Sequence, residues 1–132
     1  MALVATVTIR PGLEEIVLLG TVGHEGSHVL HGQEFVATMK WTPEGGMAYD
    51  LSKNLTVFDL EMNAFGITHA VHAEWGKGGG ISWPCNKCVL GKPGMPDPEV
   101  ALAISRILVN DTKNYFNATK KTPGPRQFPD WK

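Results

Sequence analysis

The stretch Gly20-Thr21-Val22-Gly23-His24-Glu25-Gly26-Ser27-His28-Val29-Leu30-His31-Gly32 constrains the fold more than any other part of the chain. It lies within a segment in which Leu13, Ile16, Val17, Leu19, Val22, Val29 and Leu30 support burial on more than one side. That pattern predicts a helix from Leu13 to about Phe35 or Met39. Glu14 and Glu15 suit its first turn, where carboxylates face the positive end of the helix dipole. Gly20, Gly23 and Gly26 each cost about 1 kcal/mol against alanine inside a helix. Three such residues in one helix call for close packing, or for another group reaching the backbone.

The same helix carries H-E-x-x-H at residues 24 to 28. Histidines at i and i+4 project from one helix face a turn apart. That spacing lets two ring nitrogens meet one Zn²⁺ at about 2.0–2.1 Å each. Glu25, next along the chain, sits beside such an ion rather than on it, placed to take a proton from a water the metal activates. A catalytic zinc needs a third protein ligand and an open position. The candidates are His31, Asp59, Glu61, His69, His72 and Glu74. His31 lies about 10 Å along the axis from His24, too far for all three histidines of the helix to share an ion. It suits a supporting or cleft-lining place instead.

A second helix is expected from an N-cap at Asn54 to about Trp75. On it, positions 61, 65, 68, 69 and 72 share a face. Glu61 is the expected third ligand and Asp59 its rival. Ala64, a small residue one turn after Glu61, would let this helix approach the glycines of the first. His69 and His72 lie about 12 and 16 Å beyond Glu61 along the axis, where they line a cleft, support the structure or reach back as donors to a transition state. Tyr49 is a further candidate for that last role.

The remaining segments are read more coarsely. Val4-Ala5-Thr6-Val7-Thr8-Ile9 is β-branched and alternating, and predicts an N-terminal strand. Residues 36–41 and 80–83 can supply short further strands. Trp41 to Lys53 reads as a loop, and the glycine run 76–80 as a hinge or loop tip. A third helix starts with Asp97 as N-cap and Pro98 in its first turn and runs to about Asn117, with Val100, Ile104, Ile107, Leu108 and Phe116 toward the core. The tail from Thr122 is too rich in proline for helix, and Phe128 and Trp131 are its anchors. Trp83-Pro84-Cys85-Asn86-Lys87-Cys88 holds a lone C-x-x-C. Without a second pair it is two free or locally bridged cysteines, a redox-sensitive disulfide that orders the loop, or part of a second metal site.

With 132 residues, the chain has the length of one domain, and 42% hydrophobic residues are enough for one modest core. A formal net charge of −1 argues against a nucleic-acid partner, and Lys113, Lys120 and Lys121 form only a short cluster on a helix end. No run of apolar residues reaches membrane-span length. The N-terminus lacks the pattern of a secretory signal. The expected class is α+β, mainly helical: an N-terminal strand, a motif helix packed on a ligand-bearing helix, and a third helix. The abrupt entry into ordered structure suggests a single domain cut from a longer polypeptide.

Taken together, T-V-T-I-R-P, then G-H-E-G-S-H-V-L-H-G, then L-E-M-N-A-F resemble the gluzincin-type zinc metallopeptidases. The compact toxin domains at the C-termini of Rhs-repeat and other polymorphic bacterial toxins are the nearest in look. The resemblance covers about residues 4 to 75 and implies a zincin-like fold. It implies Zn²⁺ on His24, His28 and Glu61, Glu25 as general base, and a protein or peptide substrate. It further implies secretion or delivery into a target cell as part of a larger effector, and a cognate immunity protein in the producer. The same ligands would equally serve a zinc hydrolase of non-peptide amides, such as those of cell walls, or a non-catalytic zinc-binding module.

Overall fold

A computed structural model of the chain describes residues 2–75, 79–110 and 124–131. The order is α1 (Glu15–Val36), β1 (Lys40–Trp41), β2 (Met47–Ala48), a 3₁₀ turn (Leu51–Lys53), α2 (Val57–Trp75), β3 (Ile81–Ser82), β4 (Val89–Leu90) and α3 (Asp97–Asn110). The fold is a small, mainly helical α+β arrangement with two separate antiparallel hairpins, β1 with β2 and β3 with β4. No helix among the described residues is long and apolar enough to cross a membrane. The expected continuation of α3 to Asn117, with Phe116, lies outside the described residues, as do Gly76 to Gly78, Lys113, Lys120, Lys121 and Thr122.

The two long helices run antiparallel. Near the start of α1, Gly20 meets His72 from the end of α2, whereas further along α1 His28 meets Glu61 from its beginning. The glycines explain the closeness. A Cβ at Gly20 would lie 2.2 Å from His72 Nε2, and one at Gly23 would lie 3.1 Å from Ile67 Cγ2. Gly26 has nothing within 4 Å and plays no such part. The partners of the glycines are thus Ile67, Val71 and His72; Ala64 is fully buried in α2.

Asn54 is not the N-cap of α2. Thr56 takes that place: its Oγ1 accepts from the Asp59 N–H at 3.1 Å and donates to Asp59 Oδ2 at 2.9 Å. Asn54 is fully buried and holds the C-terminal tail. Its Nδ2 donates to the carbonyls of Phe128 (2.9 Å) and Trp131 (2.8 Å), and its Oδ1 accepts from the Phe128 N–H (3.1 Å). Phe128 stacks on Phe35, and Trp131 packs edge-on to Tyr49, so both expected anchors do pin the tail.

The apolar core lies between α2, β4 and α3, where Phe65, Cys88, Leu90, Ala103, Ile104, Ile107 and Leu108 form one buried cluster. α3 begins one residue before the expected first helical position, with Asp97 inside it and the Pro96 carbonyl accepting the Glu99 and Val100 N–H groups.

The N-terminal strand does not form. Residues 2–10 adopt no regular structure, and Val4 is 94% exposed. An alternating β-branched run becomes a strand only against a partner edge, and no described strand lies beside it. What holds this segment is Leu3: its N–H donates to Gln33 Oε1 (3.2 Å) and its carbonyl accepts from Gln33 Nε2 (2.6 Å). The expected loop from Trp41 to Lys53 instead holds β2 and the 3₁₀ turn. Gly45, at φ +83°, makes the tight reversal between β1 and β2. Both places where short strands were possible do contain one, β1 and β3.

Candidate metal centre

Antiparallel packing at this register brings the early part of α2 under the motif face of α1. Glu61, 8% exposed, faces both histidines. Its Oε1 lies 2.9 Å from His28 Nε2, and its Oε2 lies 3.1 Å from His24 Nε2. One ligand atom from each of His24, His28 and Glu61 falls within 4.8 Å of the others, a spacing suited to holding one metal ion. The two imidazoles meet edge to face with centroids 4.9 Å apart, a turn apart on the helix as the motif spacing dictates.

The polar atoms fit a cation better than they fit one another. Glu61 Oε2 is buried and has no aligned hydrogen-bond donor, although His24 Nε2 is close. His24 Nδ1 is turned the other way, 3.3 Å from Thr68 Oγ1. Thr68 is 2% exposed and donates its own hydroxyl proton to the Ala64 carbonyl at 3.1 Å. Its oxygen can then accept from His24 Nδ1 when that nitrogen carries the ring proton. With the proton on Nδ1 the Nε2 lone pair would be free for a cation, the arrangement a metal-ligating histidine requires; with the proton on Nε2 the ring faces Glu61 Oε2 as its partner. Two imidazoles and one carboxylate are a donor set that could hold a divalent metal ion.

The charges follow from these contacts. Burial by itself would push the Glu61 carboxyl up, but the imidazoles of His24 and His28 outweigh it and bring its pKa to about 2. His28 is raised, first by its hydrogen bond to Glu61 and against the effect of burial, with Glu25 adding a smaller pull. Glu61 is thus ionised at neutral pH, ready to act as a ligand.

A cavity of about 330 Å³ opens beside His24 and Glu25. Its walls include Val17 and Thr21 of α1, Phe65 and Thr68 of α2, and Ile81 and Trp83 of the β3 hairpin. Phe65 lies edge-on to His24 (4.6 Å between centroids) and Trp83 edge-on to Phe65 (5.3 Å). Glu25 therefore lies next in sequence to His24 of the cluster and borders the mostly apolar space beside it.

The remaining candidates fall elsewhere. Asp59 is exposed and committed to capping α2, which removes it as rival ligand. His31 stands apart from the cluster on a different depression, with Leu30, Asn63 and Ile67, and its Nδ1 is buried without a partner. Glu74 is exposed at the far end of α2. His69 Nδ1 accepts from the Gly91 N–H at 2.8 Å, which ties the β3–β4 hairpin to α2. Its pKa is lowered by burial, with Asp97 opposing. His72 is 2% exposed, wedged between Gly20 and Gly91, and it borders the cavity. Its pKa is lowered by burial and then by His69, against the Ile16 carbonyl. Tyr49 belongs to the ring cluster that holds the tail, not to the cavity. Thr68, Phe65 and Trp83 are the parts that sequence reasoning gave no role. The signal for Thr68 was its place on the Glu61 face; Trp83 offered none.

Comparison with known proteins leaves the site to speak for itself: no protein-family model, no curated protein and no solved structure matches the chain.

Proposed function

We propose that the domain is a zinc-dependent hydrolase that cleaves peptide bonds, with His24, His28 and Glu61 as ligands and Glu25 as general base. The observation that carries the reading is the convergence of the three ligand atoms within 4.8 Å, with Glu25 on the wall of the adjoining cavity. A bound zinc would supply Lewis acidity, polarising a carbonyl and lowering the pKa of a neighbouring water. The chain's own work is proton transfer and positioning. Glu25 takes a proton from the attacking water and returns it to the departing amine. Thr68 fixes the ring of His24, and Phe65 shields that ring from solvent.

Peptide is favoured over other amides by β3. Among the described residues this strand is paired on one side only, with β4, and its residues Ile81 and Ser82 border the cavity. An extended peptide can add to such an edge through backbone hydrogen bonds. The resemblance to compact toxin domains extends the proposal to a delivered effector with a cognate inhibitor protein. Expression inside bacterial cells tests that extension: growth arrest by the native chain and none by Glu25→Gln.

The direct test is turnover of a mixed peptide library by zinc-loaded protein, read by mass spectrometry. The native chain cleaves, and Glu25→Gln keeps its zinc but loses about 10²- to 10⁴-fold in rate. Full activity in Glu25→Gln contradicts the mechanism.

A further inference from the structure

We propose that the Cys85–Cys88 disulfide is a thiol–disulfide exchange site for a small anionic thiol, and that its redox state sets the position of Trp83 on the cavity wall. The claim stands on the loop geometry and does not require the hydrolase reading.

The two sulfurs are joined in the structure, and they are not equivalent. Cys88 is 1% exposed and belongs to the buried core with Leu90 and Leu108. Cys85 is half-buried and borders a second cavity of about 350 Å³ that shares no lining residue with the cavity beside His24. Lys87 and Arg106 line that cavity, and neither makes an ion pair among the described residues. Asn110 lines it as well and anchors the loop to α3, its Nδ2 donating to the Pro84 carbonyl at 3.1 Å. Two cations lining the cavity that Cys85 borders draw in a thiolate and stabilise Cys85 itself as the thiolate released in the second exchange. A thiol that also carries carboxylates fits the charge of the cleft.

The exchange balances with two equivalents of thiol. A thiolate attacks Cys85 Sγ, the bond to Cys88 breaks, and Cys88 leaves with the electron pair and takes up a proton. A second thiolate attacks the sulfur of the attached molecule, releasing Cys85 as a thiolate that is then protonated. The protein disulfide gains two electrons and two protons, and the two small thiols leave joined as their own disulfide.

Trp83 is built into this turn. The Cys85 N–H donates to the Trp83 carbonyl at 2.6 Å, and the Trp83 N–H donates to the Cys88 carbonyl at 3.1 Å. Two thiols in contact stand farther apart than two bonded sulfurs. Cys88 is held by the core, so Cys85 is the one to swing out. That motion breaks its bond to the Trp83 carbonyl and frees the indole that packs on Phe65 beside His24.

The test uses the whole chain and two reductants, the anionic tripeptide thiol glutathione and neutral 2-mercaptoethanol, with reduction followed by alkylation and mass spectrometry. The glutathione-to-mercaptoethanol rate ratio falls about 3- to 10-fold in Arg106→Glu, a surface variant expected to fold normally. Acrylamide quenching of Trp83 emission, obtained by difference from Trp83→Phe, rises on reduction. An unchanged rate ratio overturns the exchange site, and unchanged quenching overturns the coupling to the cavity. Loss of zinc binding or of peptide cleavage in separate assays would count against the hydrolase reading and leave both of these results intact.

Discussion

Replacing Gly20 and Gly26 by alanine, one at a time, makes the same chemical change twice in one helix with opposite expected outcomes. Each substitution gains about 1 kcal/mol of helix propensity. At Gly26 nothing lies within 4 Å of the added Cβ, so the gain is kept. At Gly20 the Cβ would stand 2.2 Å from His72 Nε2. The ring cannot retreat, because on its other side Gly91 is so close that a Cβ there would lie 2.3 Å from His72 Cβ. Overpacking of this kind costs about 1–3 kcal/mol and sometimes more, and a wedged ring belongs at the upper end, leaving a net loss of about 2 kcal/mol. For a chain of 132 residues, Gly20→Ala should lower Tm by roughly 6–10 °C and Gly26→Ala should raise it by roughly 3–5 °C. Differential scanning calorimetry on chelator-treated protein reads both. Combining Gly20→Ala with His72→Ala should show a favourable coupling of about 1–3 kcal/mol, since the clash partner is gone. A Gly20→Ala protein as stable as the native chain would refute the close helix contact and, with it, the register that brings Glu61 to His24 and His28.

Thr68→Val should weaken zinc affinity about 10- to 100-fold in a chelator-competition assay, and Thr68→Ser should restore it, because the hydroxyl oxygen beside His24 Nδ1 is what differs. In metal-free protein the His28–Glu61 contact raises the His28 pKa, so it stabilises the fold fully below about pH 6.5 and fades as pH climbs through the folded value. Urea unfolding should therefore show His28→Gln losing more stability at pH 5.5 than at pH 8.5, and equal losses would contradict the pairing. His69 and His72 are shifted the other way, so their burial favours the fold above pH 6.5, and His72→Asn should blunt the loss of stability on acidification. Asn54→Ala strips the tail of three hydrogen bonds at a fully buried site and should cost about 2–4 kcal/mol, with faster limited proteolysis of the tail.

The candidate site was legible to the extent that it is local. H-E-x-x-H puts two histidines on one helix face through helix geometry alone, and an acidic residue on a second helix face is a short step from there. What separates Glu61 from Asp59 is tertiary: Glu61 joins the two histidines, while the Thr56 hydroxyl engages Asp59 in the cap. His72 was legible as a structural or cleft-lining residue, but its wedge between Gly20 and Gly91 depends on the antiparallel register of two helices, a tertiary fact. The N-terminal strand failed for a related reason: β-branched alternation in residues 4–9 is a preference, and a strand needs a partner edge. Asn54 looked like a cap because asparagine caps well, and its amide is instead spent on a tail more than seventy positions away. Strands of two residues leave almost no periodic signal, so the hairpins showed only as places where short strands were possible.

The central claim is that His24, His28 and Glu61 hold one zinc ion, with Glu25 beside it and not on it. Zinc stoichiometry by mass spectrometry of the native chain, Glu25→Gln and Glu61→Ala, each reloaded and dialysed, tests it most directly. The account predicts one zinc per chain in the native protein and in Glu25→Gln, and loss of zinc in Glu61→Ala. No zinc in the native chain, or full zinc retention without Glu61, would contradict it.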